Sequence, residues 1–481
     1  MGNGFAAGEN SGISRTIAHV LLSSAAVLSG CSLMPAYQTP PLPVAPDYPA
    51  DAPSTSGRNA AQTGWRDYFA DPQLRALIEL ALAHNRDLRA AIAQVEAARA
   101  AYGIQRADAY PAIDLGATGS RARTPADLSL TGQSRVGGQY QAGLYLTRWE
   151  LDFWGRVRNL NEAARDEFLA SDATRRAIEL SLVAQVAQTY LSLCELDERI
   201  ALARQAVASH EESFRIFSRR VAVGSTSKLE LTQVETLLTQ AQSLVSQLEP
   251  FRAAQAHALT QLTGAPAPSV APTLDDAQLL TELQTGLPSD LLTQRPDIIA
   301  AEWQLQAAHA NINAARAAFF PRIALTGSLG TASAELDGLF RSGSGAWSFM
   351  PSISLPVFDG GRNRSGLEFA QARRDLALAQ YEKTVQTAFR EVADALSGRH
   401  GLEDQVKTQN RTLAAQRERA RLAKLRYQNG AATYLEVLDA ERGLLAAEQL
   451  QVQTRRALLA SRVTLYAALG GGGLAGEAAQ N

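Results

Sequence analysis

The chain repeats itself. Residues 85–115 align without a gap onto residues 295–325, each pair 210 positions apart. Asp87 meets Asp297, Gln94 meets Gln304, Arg106 meets Arg316, Pro111 meets Pro321, Ile113 meets Ile323 and Leu115 meets Leu325. Further on, Arg220, Gly224, Leu229-Glu230 and Glu235 recur as Arg426, Gly430, Leu435-Glu436 and Glu441, each 206 positions apart. Such a chain is two copies of one supersecondary design.

Each copy begins with a helical pattern, about 85–109 in the first, that stops at Pro111 or Pro321. A period-two texture follows. Ile113, Leu115 and Ala117 share one face, as do Tyr140, Ala142, Leu144 and Leu146, with a loop rich in Gly, Ser, Thr and Arg between them. This predicts strands over about 112–121 and 138–148, and in the second copy over about 323–331 and 347–357. A helix of roughly 60 residues, about 90–100 Å at 1.5 Å per residue, then leads to each of Gly224 and Gly430. There Ser227 or Thr433 stands where an N-cap would restart a helix. Both stretches read as tight turns at the tips of long helical hairpins. Val183, Val186, Tyr190 and Leu193 on one arm and Val234, Leu238, Ala241, Val245 and Leu248 on the next step by three and four. Leu438, Leu445, Val452 and Leu459, seven apart, mark the final arm as a coiled-coil seam. Pro250 is expected to bend or divide its helix. Gly360-Gly361 reads as a strand-to-helix turn.

The N-terminal region has its own logic. Residues 1–12 read as sequence ahead of a signal's n-region. Ile17 to Leu28 is a short apolar run preceded by Arg15 and followed by Ser29-Gly30-Cys31. It is too short to span a bilayer as a helix and resembles a bacterial lipoprotein signal peptide over 1–30, cleaved before a lipidated Cys31. Seven prolines between 35 and 53 make residues 31–64 an extended strap. Trp65 to Leu74 then starts a short helix, with Asp71 as N-cap and Pro72 at the first helical position. The first repeat spans 65–268, the second 269–470, and 471–481 is a tail.

Composition excludes several classes. There are 46 basic and 48 acidic residues and no basic stripe interleaved with aromatics, which argues against a nucleic-acid partner. The two cysteines, Cys31 and Cys194, sit in unlike contexts and suggest neither a disulfide framework nor a zinc site. The histidines are scattered and none is assigned to a metal. No Ser/His/Asp order or paired-carboxylate motif supports a lipid-anchored enzyme, and no catalytic residue is assigned. The segment Gly224 to Lys228 lacks Walker spacing. No apolar stretch after the signal is long enough for a transmembrane helix, whereas strands of about ten residues with one apolar face suit a tilted barrel strand. Four strands cannot close a barrel, and open edges do not survive in lipid; symmetric copies would close it, and three chains would supply twelve strands.

The chain resembles the TolC-type outer membrane factors, specifically the NodT/OprM-like lipoproteins that serve resistance-nodulation-division pumps. The motifs are Leu28-Ser29-Gly30-Cys31, Gly286 to Leu292 running into Arg295-Pro296-Asp297-Ile298, Phe320 to Ser328, Ser354 to Arg362, and the second tip. The resemblance runs from the signal peptide to about Gly470. It implies a mixed α and β membrane protein, a homotrimer with a shared twelve-stranded transmembrane β-barrel continued by a periplasmic α-helical barrel. The expected role is the passive exit duct of a tripartite efflux system. Its expected partners are a periplasmic adaptor, an inner-membrane pump and outer-membrane lipid, and Cys31 would carry diacylglycerol and N-acyl lipid. There would be no other cofactor. Ser32 after Cys31 favours the outer membrane.

The resemblance also assigns a periplasmic gate. Tyr427 matches the gate tyrosine, Glu436 and Asp439 the two acidic positions after the turn, and Glu230 the acidic partner in the first tip. Ala432 stands where TolC itself has a gate arginine, with Arg426 as a possible substitute. Gly224, Ser225, Gly430 and Ala431 form the tip turns and would meet the adaptor. Trp149, Trp154 and Trp347 suit either a membrane-interface belt or a core. The competing class is a periplasmic coiled-coil adaptor or structural lipoprotein without a pore. Such adaptors, though, usually carry one helical hairpin rather than two.

Overall fold

The computed structural model describes residues 37–41, 43–44, 58–265, 274, 283–284 and 290–472. Cys31, the signal peptide, most of the proline-rich strap, Gly286 to Ser289 and residues 473–481 lie outside them. In chain order the elements are β1 (Arg58–Asn59), α1 (Trp65–Tyr68), α2 (Pro72–His84), α3 (Arg86–Ala107), β2 (Ile113–Thr124), β3 (Arg135–Leu151), α4 (Arg156–Ala222) and α5 (Lys228–Thr263). Then come β4 (Leu283–Gln284), α6 (Leu291–Gln294), α7 (Pro296–Ala317), β5 (Arg322–Ser333), β6 (Gly345–Ser354), α8 (Arg362–Gln428) and α9 (Tyr434–Ala468). The strands β2 and β3 run longer than the period-two texture alone indicates, because their Arg- and Gly-bearing ends still pair.

The chain divides into two compact units. One holds Glu96–Leu169 and Glu302–Ala379 with the described residues up to Pro40; the other holds the rest. Each unit therefore takes equivalent pieces from both sequence repeats. Neither copy buries its apolar surface alone.

In the first unit the four long strands make one antiparallel sheet in the order β2-β3-β5-β6. The hairpins pair through β3 and β5, leaving β2 and β6 each with an edge unpaired among the described residues. Register places Ile113, Leu115, Leu144, Leu146, Leu329, Trp347 and Phe349 on one face. The other face carries Asp114, Thr118, Gln141, Ser328 and Ser348. Leu115 is 83% exposed and Trp347 77%, so the apolar face has no cover among the described residues. A bulge between Leu146 and Trp149 shifts the β3–β5 register by one residue. It returns Trp149 and Leu151 to the apolar face opposite Leu325 and Ile323. Trp149 donates its indole N–H to the Ala109 carbonyl at 3.2 Å. Trp154 stacks on Phe320 at 4.9 Å and donates to the Pro321 carbonyl at 2.8 Å, so it is fixed at the entry to α4.

Two aspartates start the long helices. Asp152 accepts from the backbone N–H of Val157 and Arg158, and Asp359 from those of Gly361 and Asn363. These carboxylates meet the orphan donors of the first turn. Gly360 and Gly361 both adopt positive φ, as a strand-to-helix turn requires. Helices α4 and α8 have 67 residues each.

In the second unit the stepped apolar positions are the core. Val183, Val186, Tyr190 and Leu193 are buried, as are Val234, Leu238, Ala241 and Leu248, and Leu438, Val452 and Leu459. One window of α4 reaches a mean hydropathy of 1.2, and half of that window is buried. It thus passes a length-and-composition test for a membrane span that the sequence reading denied it; packing against neighbouring helices accounts for its apolarity. Pro250 lies inside α5 and does not divide it. Asp71 caps α2 by accepting from the Gln73 N–H at 2.8 Å. Arg295 is buried and satisfied by Asp297, Glu391 at 2.9 Å and the Ala468 carbonyl at 2.8 Å.

Candidate functional site

The two tips, both in the second unit, close by the same device. At the first, the Ser225 N–H donates to the Arg220 carbonyl at 2.8 Å and the Gly224 N–H to the Val221 carbonyl at 3.0 Å. At the second, Ala431 donates to Arg426 at 2.8 Å and Gly430 to Tyr427 at 3.0 Å. These are Schellman turns, which need a left-handed residue after the helix. Gly224 and Gly430 supply it, with φ of +73° and +72°. The restart differs between copies. The Ser227 hydroxyl accepts from the Glu230 N–H at 3.2 Å, whereas the Thr433 side chain makes no cap bond.

Beneath the turns the hairpins pack on each other. Phe217, Val234, Leu237 and Leu438 form a buried cluster flanked by Phe214, Leu231, Tyr427 and Tyr434. Tyr434 lies 4.4 Å from the Phe217 ring and 4.9 Å from Tyr427, and its hydroxyl bonds Ser213 at 2.9 Å. Burial pushes the Tyr434 phenol above its ordinary pKa. The Arg220 guanidinium sits 5.3 Å from the Phe217 ring centroid and donates to the Tyr427 hydroxyl at 2.6 Å. Tyr427 is thus a half-buried residue joined to the other hairpin by packing against the Phe217 cluster and by a charged donor.

Each acidic candidate has a local partner. Glu230 accepts from the Thr226 hydroxyl. Glu436 lies 3.4 Å from Arg426, which also donates to the Ala431 carbonyl at 3.1 Å. Asp439 is bound by Arg419 from α8 and Arg442 from α9. The Arg419 guanidinium first, and then Arg442, holds the Asp439 carboxyl below its usual range. Glu436 and Asp439 therefore follow one another on α9, while Glu230 belongs to the first tip and contacts neither. Ala432 contributes no charge, and Arg426 bonds within its own tip.

Sequence reading missed Arg220, Arg419 and Arg442. The repeat held a signal for Arg220, which is the echo of Arg426. For Arg419 and Arg442 only the three-residue spacing of Asp439 and Arg442 offered a hint. The lower layer was also missed. His210 on α4 is buried, and its Nδ1 lies 3.6 Å from Glu441 Oε2 on α9. Burial lowers the imidazole pKa; it raises that of the Glu441 carboxyl, with Lys424 pulling the other way.

Exposed tips, an uncovered apolar sheet face and two open strand edges in a duplicated chain narrow the comparison to membrane ducts. The family described as outer membrane efflux protein matches residues 77–265 and 287–471. The chain belongs to the outer membrane efflux protein family. The toluene efflux pump outer membrane protein TtgC of Pseudomonas putida is 43% identical over 458 residues, 94% of this chain and 95% of that one. Outer membrane protein OprJ of Pseudomonas aeruginosa is 43% identical over 451 residues, 93% of this chain and 94% of that one. The open-state crystal structure of the Neisseria gonorrhoeae MtrE outer membrane channel covers 92% of this chain and 98% of its own. Its TM-score is 0.84 at 38% identity. As an outer membrane efflux protein the chain works in the outer membrane, has the TolC-type channel fold, and serves as the outer component of an efflux system. The efflux family is one of ducts, and the tips are read as parts of a duct rather than of a reaction centre.

Proposed function

We propose that this outer membrane efflux protein is the homotrimeric exit duct of a tripartite system, passively conducting drugs or other small toxic compounds. An inner-membrane resistance-nodulation-division pump and a periplasmic adaptor would deliver them. The observation that carries this reading is the four-stranded sheet. One face is apolar and uncovered, and β2 and β6 keep unpaired edges among the described residues. Unpaired strand edges are not tolerated in lipid. A rotation that joins β6 of one chain to β2 of the next removes every edge, and three chains complete twelve strands. The relatives named for toluene and antibiotic efflux support small toxic cargo.

Lipid on Cys31 would add a membrane anchor beside the barrel. At the periplasmic end, Tyr427, Glu230, Glu436 and Asp439 form the gate, and Gly224, Ser225, Gly430 and Ala431 present the tip turns to the adaptor. Threefold repetition brings each gate residue around one axis. The Arg220 to Tyr427 bond holds the closed tips, and Asp439 is a charge site partly neutralised by Arg419 and Arg442. Planar-bilayer recording of the purified protein tests the duct. Stepwise conductance is expected, and an electrically silent protein would refute it.

A further inference from the structure

Along the apolar face of β2 the residues change character in order. Ile113 and Leu115 come first, opposite Leu146 and Leu144, and then Ala117 opposite Ala142. Next is Gly119, and the Tyr140 ring lies over it: a Cβ there would meet ring carbons at 3.0 and 3.2 Å. Arg121 and Arg123 then take the same face, opposite Gly138 and Val136. Strand residues two apart share a face, so both guanidinium groups stand on the side that bears the aliphatic belt. From Ile113 to Arg121 the strand advances about 27 Å, or about 20 Å along the normal at the usual barrel tilt. The arginines therefore begin near the upper edge of an apolar band of about 25 Å. This is the hairpin end of the strands, away from the ends that run into helices.

Both arginines are exposed, and neither makes an ion pair among the described residues. Arg135, in register with Thr124, takes the other face. The second hairpin has no equivalent. The 210-residue offset puts Thr331 and Ser333 at these positions, and its Arg341 is held by Asp337 at 2.6 Å. Gly138 opposite Arg121 carries no side chain to pair with that guanidinium, and a Cβ there would meet the Ala334 carbonyl at 2.8 Å and the Tyr140 ring at 3.1 Å. Two unpaired cations at the rim of a lipid-facing belt call for an anion from the lipid side, and a guanidinium fork matches phosphate.

We propose that Arg121 and Arg123 dock the phosphate-bearing headgroups of anionic glycolipid in the outer leaflet of the outer membrane. This rests on the reading of the sheet as part of a transmembrane barrel. A basic residue at an anionic surface contributes about fivefold in affinity, so the pair contributes about thirtyfold.

Native mass spectrometry of the full chain in neutral detergent reads this directly. The protein is titrated with lipid A, which carries two phosphates, and separately with phosphatidylcholine. R121Q/R123Q is expected to bind lipid A about thirtyfold more weakly and to bind phosphatidylcholine as the wild type does. R121K/R123K keeps the charge but loses the fork, and is expected to fall nearer the wild type. Rising sodium chloride should weaken lipid A binding to the wild type and leave phosphatidylcholine binding alone; this arm needs no variant. Equal lipid A affinity in the wild type and R121Q/R123Q, or a flat salt profile, overturns the inference. So does displacement of lipid A by an equal concentration of inorganic phosphate, since the pair would then bind a free ion. Failure of the wild type to hold lipid A overturns it too, whereas the barrel itself is tested separately by the mass of the assembled chains.

Discussion

Arg220 and Tyr427, 207 residues apart in the chain, are joined at the hairpin tips by a 2.6 Å hydrogen bond from guanidinium to phenol oxygen. The bond links the first hairpin to the second, and the Tyr427 ring packs in the same cluster as Phe217 and Val234. The Tyr434 hydroxyl, bonded to Ser213 at 2.9 Å, is a second link between the same two hairpins.

Tyr427→Phe and Arg220→Gln are each expected to raise the open probability of the channel in planar bilayers. Because the Arg220 side of the pair is exposed, the shared term is small, about 0.5–1 kcal/mol. A double-mutant cycle checks it. The double variant should open no more than the stronger single variant, whereas full additivity would show that the two residues act independently.

Asp439→Asn frees Arg419 and Arg442 and should shift ion selectivity toward anions, as measured by reversal potential across a salt gradient. The pH dependence follows from the depressed carboxyl. The charge and its pairs are fully present above the ordinary value of 3.8 and are lost only as pH falls through the lower, folded value. Wild-type selectivity should therefore persist to more acid pH than an unpaired aspartate would allow.

His210 and Glu441 oppose one another. The histidine pKa is lowered by burial, so its contribution to stability is present above about 6.5 and is lost as pH falls below it. The glutamate pKa is raised, so its contribution is present below 4.5 and is lost as pH rises through its folded value. Glu441→Gln removes the second effect. Its melting temperature should drop more steeply than the wild type's between pH 7 and pH 5, and parallel curves would show that Glu441 takes up no proton on folding in that range.

Gly430→Ala forces a side chain into left-handed backbone. No atom lies within 4 Å of the added Cβ, so the cost is backbone strain alone, about 1–2 kcal/mol. Thermal unfolding measures it, and an unchanged melting temperature would show that the turn relaxes to another geometry.

Much of this was legible because repeats and periods are local. Pro111 and Pro321 marked the strand entries, and Gly224 and Gly430 marked the turns. The seven-residue steps from Leu438 to Leu459 marked a seam whose positions are buried or half-buried. What failed to show were relations set by packing. The bulge after Leu146 reverses the face of Trp149, and no period predicts that. The partners of Asp439 come from two helices, so spacing reveals only Arg442. Thr226 takes the Glu230 carboxylate because both lie within one turn, a geometry that the echo with the second tip does not share. The apolar window in α4 is the reverse case, a membrane-like stretch that packing explains.

The shared barrel is tested most directly by the mass of the purified protein in detergent, from native mass spectrometry or light scattering corrected for bound detergent. Completion of the sheet by β6-to-β2 pairing between chains gives a single species of three chains, with no stable monomer. A monodisperse, heat-stable monomer would mean that the edges of β2 and β6 are satisfied some other way, and the twelve-stranded barrel would be wrong.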